Sequence, residues 1–277
     1  MPNQFLLTPY LLHQHAPALS RLAGSDWKRN EPTLAGNSQP DRMIVLHRQI
    51  STFVTDSIRR GNRPVSVSGD CCAAIAVLAG LQHAGIDPAV IWLDAHGDFN
   101  THETTLTGFL GGMPLAMMTG RGDQTFVRGA SCRPVPDEDV VLSDGRDLDL
   151  PERELLRASA VRHVQDPSGV EEALPPDRPL FIHFDTDFLN PADAPAMRYA
   201  TAGGPRLADA LGLSAGLART NRIVAVSVTA WDLDGDADRK TELACLQVLG
   251  ALLSGGAPLG TRAAADDSTR GVRVHGG

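Results

Sequence analysis

Short apolar runs of strand length recur down this chain with helix-compatible stretches between them, and that alternation limits the folds available to it. The runs lie at 65–68, 90–94, 140–143, 161–164, 180–185 and 223–229, and the helical patterns at 72–84, 152–158, 206–217 and 239–253. A helix between two strands carries the chain back over the face of the sheet, so successive strands run parallel. The expected architecture is therefore α/β: a three-layer α/β/α domain with a doubly wound, mostly parallel sheet. At 277 residues, 42% of them hydrophobic, the chain can fill one large core, and 1–254 is read as one domain. The first 40 residues mix proline with polar residues and are expected to be irregular, covering the sheet or closing over a site. Residues 255–277 are rich in Gly and Ala with little to bury, and are expected to form a flexible tail.

Charge and cysteine usage exclude several classes of partner. With 25 Lys+Arg against 33 Asp+Glu the net charge is −8, and no basic cluster stands out, so no nucleic-acid surface is expected. No apolar run approaches the roughly 18–20 residues needed to span a bilayer, so no membrane partner is expected. The N-terminal stretch lacks a secretory signal pattern, and four cysteines, two of them adjacent (Cys71, Cys72), form no disulfide framework. These features predict a cytoplasmic protein with reduced thiols and a small-molecule ligand.

Ligands of open parallel sheets bind beyond the carboxyl ends of the strands. The segment IWLDAHGDFNT runs from an apolar strand into Asp94, His96 and Asp98, which share one face at i, i+2, i+4 spacing. LFIHFDTDFLNP repeats the pattern with Asp185 and Asp187. Four carboxylates converging at one sheet edge repel one another, and two divalent cations would neutralise them. Oxygen donors with an imidazole suit Mn²⁺, Fe²⁺, Co²⁺ or Ni²⁺ better than a thiolate-rich zinc site.

The sequence DAHGD, followed far downstream by Asp185, Asp187, Asn190 and Pro191, resembles the arginase–agmatinase (ureohydrolase) family from about residue 65 to 253. The resemblance implies an arginase-like fold and two Mn²⁺ ions per chain. One would be held by Cys71, Asp94, Asp98 and Asp185, the other by Asp94, His96, Asp185 and Asp187. It also implies hydrolysis of a guanidino or amidino C–N bond by a hydroxide bridging the ions. Asn100 and Thr107 fall at positions that contact the substrate's amino-acid end. Asp149 and Glu152 fall where an acidic residue meets a substrate ammonium; equally, they could cap a helix starting near 152. Homo-oligomerisation is a further expectation.

Three departures from the family pattern bear on chemistry. Cys71 stands where the family carries a metal-binding His in Gly-Gly-Asp-His, so the first metal site is expected to be weak. Gly111 stands at the position of the arginase proton-shuttle His. Ala230 stands at the carboxylate that clamps the guanidinium, with Asp232 two residues on as the expected catalytic substitute alongside Asp98. The first two departures are similar to the Nω-hydroxyarginine amidinohydrolase branch, whose substrate is less basic than arginine. A chain with these losses could also retain the fold as a metal- or ligand-binding module without turnover.

Other residues and readings carry less. His183 shares a strand face with Asp185, but a core histidine is the simpler expectation, and Trp92 and Trp231 read as core and pocket-wall aromatics. A metallophosphoesterase would need an Asn-His pair that the sequence lacks. An aspartyl-nucleophile phosphatase reading of DTDFL would leave DAHGD unexplained.

Overall fold

The computed structural model describes residues 1–254; the expected C-terminal tail lies outside them. Ten strands appear in chain order: β1 Asn3–Thr8, β2 Tyr10–Leu11, β3 Gln14–His15, β4 Lys28–Arg29, β5 Arg63–Ser68, β6 Ala89–His96, β7 Val140–Asp147, β8 Arg162–Val164, β9 Leu180–Asp185 and β10 Ile223–Thr229. The helices are α1 Gln39–Arg59, α2 Ala73–His83, α3 Pro114–Met118, α4 Thr125–Gly129, α5 Leu150–Arg157, α6 Val170–Ala173, α7 Leu207–Arg219 and α8 Lys240–Leu253. Eight strands form one sheet in the order β4-β1-β5-β10-β9-β6-β7-β8, and every pair in it is parallel.

Helices cover both faces, as the alternation requires. On one side Ile50, Phe53 and Val54 of α1 and the almost wholly buried α2 pack on Val90, Trp92 and Leu142. On the other, Leu213 and Leu217 of α7 and Val248, Leu249 and Leu252 of α8 pack on Val65, Ile91, Ile182 and Val226. The two apolar sets alternate along each strand, which is why the central strands read as continuous apolar runs. No helix among the described residues is long and apolar enough to cross a membrane.

The N-terminal stretch departs from expectation. Asn3–Thr8 is an inner strand that pairs with β5 over six residues; beyond Pro9 come the short β2–β3 hairpin, a 3-10 turn at Pro17–Leu22 and the edge strand β4, joined by loops. The longest helix, α1, starts where Ser38 caps it: Ser38 Oγ accepts the Asp41 N–H, and Asp41 Oδ2 accepts the Ser38 N–H.

The order of the central strands positions the site. β5, β10, β9 and β6 are consecutive neighbours, so the loops leaving their carboxyl ends meet. Gly69, directly after β5, is packed so closely that an added Cβ would lie 2.3 Å from the Tyr10 carbonyl oxygen. The N-terminal loop therefore lies directly against the start of the segment leading to Cys71.

Candidate metal centre

Each carboxyl-edge residue arrives on its own strand. Cys71 follows β5, Asp94 and His96 end β6, Asp98 lies two residues on, Asp185 ends β9, and Asp187 sits in the turn after it. The segments 94–96 and 185–187 share a local hydrogen bond. Asp94 Oδ1 accepts the His96 N–H (2.8 Å) and Asp185 Oδ1 accepts the Asp187 N–H (2.9 Å), so each leading aspartate fixes the backbone that carries the next candidate ligand, His96 or Asp187. Asp187 Oδ1 accepts the Ala95 N–H (3.2 Å), joining the two turns.

Two groups of donor atoms result, each with its members within 4.8 Å of one another: Cys71, Asp94, His183 and Asp185; and Asp94, His96 and Asp187. Asp94 belongs to both. His96 Nδ1 lies 3.1 Å from Asp187 Oδ2 and 3.5 Å from Asp94 Oδ1. Cys71 Sγ donates to Asp185 Oδ2 (3.0 Å) and is 3.2 Å from Thr229 Oγ1. The residues expected at the centre therefore come together, with two differences: Asp185, expected in both groups, belongs only to the first, and the first has a different fourth member. His183 completes the first group, whereas Asp98, expected there, lines the cavity beside it.

The electrostatics fit a bound cation. Burial pushes Asp98 and Asp185 well above the ordinary carboxylate range, and Asp94 to about 7, with neighbouring aspartates adding to each rise. Asp187 is held low against its own burial by His96. The His96 imidazole, despite burial, is raised to about 12 by Asp187 and Asp94. Among the described residues, Asp98 Oδ2 is buried without a hydrogen-bond partner, and the only cationic group within reach of Asp187 Oδ2 is His96. Buried acids with orphaned oxygens are short of positive charge, which divalent ions supply.

The centre floors a cavity of about 420 Å³ whose walls include Asn100, Thr107, Phe109, Gly111, Asp149, Glu152, Tyr199 and Ala230. Asn100 Nδ2 donates to Asp149 Oδ2 (3.3 Å), while Thr107 is exposed at the rim. Glu152 is buried and spans two segments, its Oε1 accepting the Phe99 N–H (2.9 Å) and its Oε2 the Asp149 N–H (3.2 Å). Asp149 and Glu152 thus form the N-terminal turn of α5 as well as the cavity wall, so the capping and pocket-lining readings hold together. Phe109 and Tyr199 meet across the mouth with ring centroids 5.3 Å apart. Neither could be found from local spacing, because they come from loops 90 residues apart in the chain.

Asp232 requires a correction. β10 ends at Thr229, and Ala230 adopts the left-handed conformation (φ 63°), so the i, i+2 alternation that would place Asp232 on its face is broken. Asp232 is absent from the cavity lining, and its Oδ1 faces the Gly235 N–H at 3.4 Å. Trp231 is likewise not a pocket wall; it is buried in the core on the α7–α8 side. His102 and Glu103 are exposed outside the lining.

Known proteins match both the fold and these motifs. The Arginase family model covers residues 18–254. An N(omega)-hydroxy-L-arginine amidinohydrolase of Streptomyces lavendulae is 37% identical over 171 residues, 58% of this chain and 61% of that protein. An arginase of Brevibacillus brevis is 32% identical over 179 residues, 59% of each. The chain thus spans about three fifths of the length of these relatives. The crystal structure of Bacillus cereus arginase superposes with a TM-score of 0.81 at 24% identity, covering 94% of this chain and all of the other. With the family model covering residues 18–254, which hold every strand of the large sheet except β1, and Asp94, His96, Asp185 and Asp187 meeting at its carboxyl edge, this chain belongs to the arginase family.

Proposed function

We propose that the protein is a metal-dependent amidinohydrolase that cleaves a C–N bond of a small guanidino compound, with an N-hydroxyguanidine such as Nω-hydroxyarginine favoured over arginine. The observation that carries this reading is the cavity wall around the acidic floor. Ala230 lines it with no carboxylate in reach from Asp232, and at Gly111 the space for a side chain is taken by the Phe109 ring, 2.2 Å from where a Cβ would stand. Neither position can pair with a guanidinium or protonate a leaving amine. A less basic amidine depends on neither group.

Cys71, Asp94, His96, Asp98, Asp185 and Asp187 would hold the two ions, with Mn²⁺ best suited to the His96 side and bound more weakly on the Cys71 side. The chemistry such ions supply is Lewis-acid activation of a water toward the amidine carbon. Asp98, whose Oδ2 is buried without a partner beside the cavity, would be placed to hold a proton at that oxygen. Asp149, whose second interaction is with Asn100, and the Thr107 hydroxyl at the rim orient the substrate's amino-acid end. Glu152 keeps Asp149 and the 97–99 turn in place through its two backbone hydrogen bonds. The Phe109–Tyr199 pair narrows the mouth and excludes bulk water.

The test is steady-state hydrolysis of both substrates with Mn²⁺, following hydroxyurea and urea. kcat/KM for Nω-hydroxyarginine is expected to exceed that for arginine by at least about tenfold, or 1.4 kcal/mol. Equal or faster arginine turnover refutes the substrate preference, and release of neither product refutes the enzymatic reading.

A further inference from the structure

We infer that His183 is itself a metal ligand, making the inner half of the centre a mixed nitrogen–sulfur–oxygen site of Cys71, His183, Asp94 and Asp185 that selects Zn²⁺ or Co²⁺ over Mn²⁺. The inference rests on the metal-binding reading of the cluster and concerns the half that contains the cysteine.

His183 sits in a cross-strand row directly beneath the carboxylates. Trp92 of β6, His183 of β9, Ser227 of β10 and Ser66 of β5 are register partners in sequence across the sheet. The imidazole stacks on the Trp92 indole (centroids 3.6 Å apart, planes at 21°), so its plane is fixed. Its Nδ1 lies 2.8 Å from Ser227 Oγ, which can accept a hydrogen bond from Nδ1–H in the tautomer that leaves Nε2 its lone pair. Nε2 faces Thr229 Oγ1 at 3.4 Å, and that hydroxyl is 3.2 Å from Cys71 Sγ. The Trp92 Nε1–H donates to Asp94 Oδ2 (3.0 Å), so the ring that clamps the histidine also orients a second ligand.

Donor atoms of all four residues lie within 4.8 Å of one another. A tetrahedral ion with bonds of about 2.0–2.3 Å spaces its ligands about 3.3–3.8 Å apart, so the Cys71–Asp185 pair, now 3.0 Å apart, would open slightly while any pair near the 4.8 Å limit closes. A thiolate and an imidazole among four donors favour Zn²⁺ and Co²⁺, whereas the Asp94, His96 and Asp187 half remains suited to a harder ion. Coordination requires the thiolate, so the Sγ proton now donated to Asp185 leaves to solvent.

The full-length protein, stripped of metal by chelation, is titrated with Co²⁺, Zn²⁺ and Mn²⁺ separately. The first equivalent of Co²⁺ should give a thiolate-to-cobalt charge-transfer band, which Cys71→Ser abolishes. Zinc-edge X-ray absorption at one equivalent should show sulfur and imidazole together in the coordination shell. His183→Asn, which keeps a nitrogen facing Ser227 but none near Cys71, should weaken Zn²⁺ at least about tenfold while changing Mn²⁺ less than about threefold. Sulfur without imidazole, or a folded His183→Asn variant with unchanged zinc affinity, overturns the inference. The readouts are independent of turnover: a charge-transfer band without hydrolysis sinks only the proposed activity, and hydrolysis without the band sinks only this assignment.

Discussion

Ala230 shows how one residue decides where a neighbouring carboxylate goes. Its positive φ ends β10 and turns Asp232 toward Gly235, leaving that side of the cavity apolar. Aspartate tolerates the left-handed region better than most residues, so Ala230→Asp should be accepted there and would place a carboxylate on the cavity wall. The variant should raise kcat/KM for arginine relative to Nω-hydroxyarginine by about tenfold, since the new charge favours the fully charged guanidinium over the less basic hydroxyguanidine. Asp232→Ala, measured in the same assay, should leave the ratio within about twofold. A large loss in that control would show that Asp232 reaches the substrate after all.

At the scale of elements, two buried side chains couple segments distant in sequence. Glu152 ties the first turn of α5 to the 97–99 turn that carries Asp98, itself in the left-handed region at φ 47°. Glu152→Ala leaves two backbone N–H groups without acceptors, at about 1–3 kcal/mol each, whereas Glu152→Gln keeps one acceptor and should cost less. Urea midpoints of the two variants should fall in that order. His47 of α1 is the second case: it is buried against Phe126 of α4, its Nδ1 has no partner, and burial pushes its imidazole down to about 4. The unfolded chain takes up this proton near pH 6.5, before the folded one does, so stability is complete above about pH 6.5 and falls as pH drops toward 4. The slope is one proton, about 1.4 kcal/mol per pH unit, and totals roughly 3 kcal/mol. His47→Leu should flatten the slope by that one proton in denaturant titrations between pH 4 and 7.

For the whole molecule, the acidic centre is a store of repulsion that the fold tolerates through hydrogen bonds and that bound cations would relieve. A metal binding only the folded state at 100 times its Kd adds about 2.7 kcal/mol. For a chain of this size that corresponds to a rise in Tm of about 5–10 °C. Calorimetry with and without metal should show the rise and its reversal by a chelator, and an unchanged Tm would mean that the carboxylates meet their needs without cations. The N-terminal segment is fixed to the last helix by a separate network. Arg21 and Arg239 both donate to the buried Glu242, and Asp236 accepts the Thr241 and Glu242 N–H groups at the start of α8. The first and last parts of the described chain are thus held against each other, so unfolding should engage both together.

The parallel α/β architecture is legible in the sequence alone, because strand length, apolar runs and the helices between them are local patterns. So are the two aspartate clusters, since alternation along a strand puts i and i+2 on one face and parallel sheets present strand ends on one edge. The strand Asn3–Thr8 is not: Pro9 and the polar residues after it mask a six-residue strand whose pairing with β5 is a long-range event. Sheet order is equally hidden, yet it alone makes β5, β10, β9 and β6 neighbours and so brings Cys71, Ala230, Asp185 and Asp94 to one place. His183 could be assigned a face from its spacing to Asp185, but its neighbours Trp92, Ser227 and Thr229 belong to other strands, and only their register reveals what its nitrogens meet. Asp232 failed for the converse reason: the alternation rule holds only while the strand continues, and whether a backbone turns left-handed at an alanine depends on the packing around it.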